Sequence, residues 1–178
     1  MKLMKEYEFT LKFALQHPDA DPQRYVEDLG CNGCDDALIG VGKKGYIALN
    51  FIREAASAYE AISSAVSDVK KVIPEATLVE ETPDFVGLTD VAQLLGCTRQ
   101  NVRKLIETSC QCAPAPVHEG KSSIWHLADI LIWLREVKAY RINDELLEIA
   151  ETNRQFNVVN SLKKIDSVHQ DDIRALVA

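Results

Sequence analysis

No apolar run in this chain of 178 residues approaches the ~20 positions that a bilayer-spanning helix needs. The opening MKLMKEYEF has lysines but turns acidic at once, so no secretory leader is expected and the cytoplasm is the expected compartment. Positive charge is scarce: 20 Lys+Arg stand against 27 Asp+Glu, a net −7 with pI ≈ 5.1, which argues against a blanket nucleic-acid binder. A Gly-rich nucleotide loop, a nucleophile–base arrangement and a complete metal signature are all missing, so an enzyme is not expected. Internal repeats and low-complexity tracts are missing too.

The residues that invite chemistry fall short of completing it. His17, His118, His126 and His169 are scattered with no H-x-x-x-H or His–Cys pairing, and satisfied or solvated side chains are the expectation. His118 and His126 flank a turn that also puts them within reach of a nucleic-acid backbone. Cys31-Asn-Gly-Cys34 and Cys110-Gln-Cys112 invite a zinc site or a redox pair. They lie in different segments, however, and neither has the C-x2-C…C-x2-C pairing of a zinc ribbon. Cys31 and Cys34 also follow a helix instead of opening one, so no helix dipole lowers a thiol pKa. Free thiols are expected, with Cys97 packing as a small apolar residue and no metal or cofactor bound. Asp35-Asp36 has no third acid or phosphate loop beside it, which favours a loop or capping role.

What is present is core-forming material, with 47% hydrophobic residues, and an uneven charge distribution. Residues 1–86 carry −6, residues 87–142 carry +2 and residues 143–178 carry −3. Three segments follow from the patterning. In residues 1–84, Tyr7, Phe9, Leu11 and Phe13 alternate with Glu8, Thr10 and Lys12 as in a half-buried strand. Asp21-Pro22 starts a helix that Gly30 ends, and strands near Ala37–Val41 and Tyr46–Ile52 flank a Gly42–Gly45 turn. Ser57 and Glu60 form a capping box for a helix that runs to Pro74, and a strand at Thr77–Glu80 closes the unit. The order strand–helix–strand–strand–helix–strand implies a ferredoxin-like βαββαβ domain for oligomerisation or sensing, within an α+β fold. Glu81–Val86, with Pro83 and its acids, reads as a linker.

Residues 85–142 hold the most informative stretch, LTDVAQLLGCTRQNVRKLI from Leu88 to Ile106. It reads as helix, tight turn at Gly96, and second helix. Val91, Ala92, Leu95, Val102, Leu105 and Ile106 make the apolar side, while Arg99, Gln100, Asn101, Arg103 and Lys104 make a short polar surface. Thr98 caps the second helix and leaves its backbone N–H groups near a phosphate. Arg99 and Arg103 present forks to guanine or phosphate, Gln100 and Asn101 suit adenine, and Lys104, Lys121 and Ser122 suit phosphate. Beyond a cysteine- and proline-rich loop, Pro116–His126 reads as a hairpin around a Glu119-Gly120-Lys121-Ser122 turn, with a helix at Leu127–Val137 behind it. The remainder, 143–178, reads as a helical tail without a core of its own: Leu146, Leu147, Ile149 and Ala150 line one helix, and a second covers Asp171–Leu176.

LTDVAQLLGCTRQNVRKLI followed by APAPVHEGKSSIWHLADILIWL resembles the winged helix–turn–helix of the MerR and excisionase type over about 50 residues. Thr98-Arg99-Gln100, Pro114, Pro116, Gly120 and Ile124-Trp125 ahead of Asp129 carry the resemblance. It implies sequence-specific binding to double-stranded DNA, with the second helix in the major groove and the wing on the backbone or minor groove. The long coiled-coil helix of full MerR regulators is missing, so their DNA-untwisting activation is not implied. The expected protein is a bacterial-type transcriptional regulator, acting as a repressor and binding as a homodimer. Its ferredoxin-like half is similar at fold level to ACT-type domains, which bind small molecules. The alternative is a protein-binding antitoxin or defence-accessory protein whose helix–turn–helix serves autoregulation.

Overall fold

The computed structural model describes residues 3–109, 112–165 and 169–177. The chain is mixed α+β, built around an antiparallel four-stranded sheet of order β2-β3-β1-β4. The strands are β1 (Lys5–Ala14), β2 (Ala37–Gly40), β3 (Tyr46–Ala55) and β4 (Thr77–Thr82). Between them lie α1 (Val26–Cys31) and α2 (Ala58–Val72). The alternation of β1 places Tyr7, Phe9, Leu11 and Phe13 at 1% exposure or less, and they meet Ile47, Leu49 and Phe51 of β3. α2 lays Ala58, Ala61, Ile62, Ala65 and Val69 on that face, a small-residue stripe that lets a helix approach a sheet closely. Ser57 caps it by accepting a hydrogen bond from the Glu60 N–H at 3.2 Å.

Arg53, at the far end of β3, is buried. Its guanidinium donates to Asp36 at 2.7 and 2.9 Å, to Asp68 and Ser64 at 3.0 Å, and to the Gly33 carbonyl at 2.5 Å. Asp36 is therefore one ligand of a satisfied buried cation, which is why it sits ahead of β2. Cys31 is exposed and Cys34 buried; burial, with Asp68 nearby, pushes the Cys34 thiol up to about 11, so it stays a thiol at neutral pH. Cys112 is exposed, Cys97 packs partly buried as expected, and Cys110 lies outside the described residues.

Several element boundaries differ from the sequence expectation. Asp21 caps a 3-10 turn at Pro22–Tyr25, and the α-helix behind it continues through Gly30 to Cys31. β3 runs on to Ala55, because β1 pairs with it along its whole length, from Lys5↔Ala55 to Ala14↔Tyr46. The largest correction concerns Glu81–Val86. It is no linker: Glu81 and Thr82 complete β4, and Phe85–Val86 forms β5, which pairs with β6 (Trp125–His126).

The reason lies in the tail, where α6 (Asp144–Leu162) closes the free edge of β4. Asn157 accepts from the Glu81 N–H at 3.0 Å and donates to the Glu81 carbonyl at 2.8 Å, as a neighbouring strand would. The same amide donates to Asp84 Oδ2 at 2.8 Å, and Asn153 donates to the Pro83 carbonyl at 3.1 Å. Glu148, also on α6, accepts from the Tyr7 hydroxyl at 2.7 Å and from the Ala58 N–H at 2.9 Å, bridging β1 to the start of α2. Burial would raise the Glu148 carboxylate pKa, but the bonds from Ala58, Tyr7 and Lys5 hold it below its usual value.

α6 therefore serves two cores. Ile149 joins the sheet core. Leu147 and Ala150 join a second core made by α3 (Leu88–Leu94), α4 (Arg99–Glu107) and α5 (Leu127–Glu136), filled by Val91, Val102, Trp125, Ile130, Leu131 and Leu134. The final helix α7 (Gln170–Val177) leaves Ile173 and Leu176 exposed. Among the described residues, no helix is long and apolar enough to cross a membrane.

Candidate nucleic-acid interface

The turn between α3 and α4 follows from three residues. The Gly96 N–H donates to Gln93 and the Cys97 N–H to Ala92, a Schellman ending that requires the left-handed φ of +60° found at Gly96. Thr98 then starts α4, its hydroxyl accepting from the Asn101 N–H at 3.2 Å. That cap occupies Thr98 and leaves the N–H groups of Arg99 and Gln100 as the first-turn donors. At the other end of the unit, the Gly87 N–H donates to Asp90 Oδ2 at 2.7 Å and opens α3.

The loop expected as a hairpin is narrower than its sequence suggests. A single antiparallel bridge, His118↔Ile124, closes it, supported by Val117 N–H to Ile124 O at 2.8 Å and Ile124 N–H to His118 O at 2.9 Å. Trp125 anchors its base by donating from Nε1 to the Pro114 carbonyl at 3.0 Å. At the tip, the His118 ring lies against Gly120, where a Cβ would come within 2.8 Å of Nε2 and push the exposed ring aside.

α4 and this loop face each other across a groove of about 370 Å³. Arg99 and Arg103 line it from the helix, and Lys121 and Ser122 from the loop, over a floor that includes Ile106 and Trp125. Four of the expected contact residues are thus brought together from two separate segments. Gln100, Asn101 and Lys104 are exposed on α4 but do not line the groove. His126 is corrected as a backbone-contact candidate. Its side chain is 12% exposed, Nδ1 lies 2.6 Å from Asp84 Oδ1, and the ring packs on Phe85. His118 stays exposed beside Gly120.

Two carboxylates in the groove were missed. Glu119 lines it from the loop and Glu107 from the last turn of α4. Glu107 accepts from Arg103 Nε at 2.8 Å, and this bond raises the guanidinium pKa further and keeps it charged. The spacing of four residues was the available signal for that pair.

No protein-family model, curated protein or solved structure matches the chain at a significant level.

Proposed function

We propose that the chain is a cytoplasmic, sequence-specific regulator that binds double-stranded DNA and acts as a repressor. In this reading α3, α4 and the 116–126 loop form a winged helix–turn–helix of the MerR and excisionase type, and the sheet with α1 and α2 is a ferredoxin-like domain. The observation that carries it is the groove in which Arg99 and Arg103 of α4 meet Lys121 and Ser122 of the loop. A helix that presents forked donors beside a loop carrying Lys121 and Ser122 suits the major groove together with the adjacent backbone. The segment around it is also the only one with net positive charge.

One module with five or six phosphate contacts binds modestly at cellular salt, so the functional species is a homodimer reading two half-sites. Exposed Val158, Val159, Leu162 and Ile165 near the end of α6 favour pairing through the tail. A cavity of about 520 Å³ between the uncovered sheet face and α6, lined by Glu6, Glu8, Ile52, Asn143 and Glu145, suits the sensing role of the sheet domain. The second reading, a protein-binding antitoxin or defence-accessory protein, rests on Leu38 and Ile52, exposed at 80% and 52% on that same sheet face.

The test is the double substitution Arg99→Ala with Arg103→Ala. Specific duplex binding should be lost, each contact being worth about 1–3 kcal/mol, with the circular dichroism spectrum unchanged. Unaltered DNA affinity in the folded variant would refute the site.

A further inference from the structure

On the DNA-binding reading above, we infer that Glu107 is a specificity-determining positioning residue, holding Arg103 so that it reads a guanine and does not grip a phosphate. Arg99, Arg103 and Glu107 succeed one another at four-residue spacing along α4 and line the same groove. Glu107 occupies the Nε–H of Arg103 at 2.8 Å. The donors left over are those on the two terminal nitrogens, for which no partner is found among the described residues. Two parallel N–H groups at the end of the guanidinium are what the O6 and N7 acceptors of guanine take in the major groove. The carboxylate also neutralises the arginine at close range and repels any phosphate approaching it, so the pair adds little to counterion release. Arg99 and Lys121 have no carboxylate bonded to them among the described residues and are the groups left for the backbone.

Helix stability does not account for the pair. Glu107 is the last residue of α4, where the helix dipole disfavours an anion, and an acid four residues after its cation is the weaker orientation. Both side chains are well exposed, at 71% and 61%, so the bond does not hold a core together either. What remains is its effect on how Arg103 meets a ligand in the groove.

Retention from a pool of random-sequence duplexes, with the bound fraction sequenced, tests the inference on the full-length protein. Wild type should enrich a motif with a fixed guanine. Glu107→Ala should weaken the preference for that guanine about tenfold, the scale of one bidentate contact. Its retention of the unselected pool should rise, and the salt dependence should steepen by about one phosphate contact. Glu107→Gln, whose amide oxygen still accepts, should keep part of the preference. In an Arg103→Ala background, removing Glu107 should cost nothing further. An unchanged guanine preference in Glu107→Ala, or an equal loss with and without Arg103, overturns the inference while leaving the DNA-binding reading intact. If wild type enriches nothing, that reading fails and this inference fails with it.

Discussion

Glu81 should make the chain less stable as the solution becomes neutral, and removing its charge should reverse that. Its side chain is fully buried at the junction of β4, β5 and α6. Burial raises its pKa from an ordinary value near 4.5 to about 7; the Asp84 carboxylate adds to the rise, while its own backbone N–H, Lys163 and the Asn160 amide oppose it. The folded state therefore binds this proton more tightly than the unfolded chain does. Such a group contributes stability that is complete below about pH 4.5 and is lost as pH rises through about 7. A difference of about 2.5 pKa units corresponds to at most about 3 kcal/mol. Glu81→Gln keeps the backbone bonds to Asn157 and carries no charge at any pH. Thermal melts of both proteins from pH 5 to pH 8.5 isolate the effect, because other titrating groups cancel in the difference. The two Tm values should lie close at pH 5 and diverge with rising pH, the variant ending several degrees higher, since 1 kcal/mol moves a chain of this size by about 2–4 °C. A Tm difference that stays constant across the range would refute the reasoning.

Asn157→Ala should destabilise the fold by about 3 kcal/mol in urea titration, because it strands the Glu81 N–H and carbonyl and one bond to Asp84 inside the junction. A loss below about 1 kcal/mol would mean that α6 does not close the sheet edge. Gly45→Ala should cost about 2 kcal/mol or more by the same method. The position has φ +73°, and a Cβ there would lie 2.5 Å from the Pro18 carbonyl oxygen, which is backbone and cannot swing aside.

The β1 alternation, the Ser57 cap and the Gly96 turn were all legible because each is local: period two, a hydroxyl three residues before its donor, a glycine where φ must be positive. The groove was half legible for the same reason. Arg99 and Arg103 sit one turn apart on a helix, whereas Lys121 and Ser122 reach the same groove on a loop closed by the His118–Ile124 bridge and anchored by Trp125 on the Pro114 carbonyl. The junction was not legible. Glu81 bonds Asn157, 76 residues away, and Asp84 bonds the same side chain from 73 residues away. Acids next to a proline look solvated until those partners are known. α6 hid its role because it packs on more than one side: Ile149 belongs to one core, Leu147 and Ala150 to another, and Asn153 and Asn157 to the polar seam, so no clean apolar stripe survives.

In the proposed function, the groove between α4 and the 116–126 loop holds duplex DNA. Fluorescence anisotropy tests it most directly, titrating the protein into labelled DNA from upstream of its own gene and into scrambled duplex across a salt series. The expected result is tighter binding to the upstream duplex, with log affinity falling against log salt at a slope of about −9, as about five phosphate contacts from each protomer of the dimer require. Equal affinity for both duplexes, or binding indifferent to salt, would contradict it.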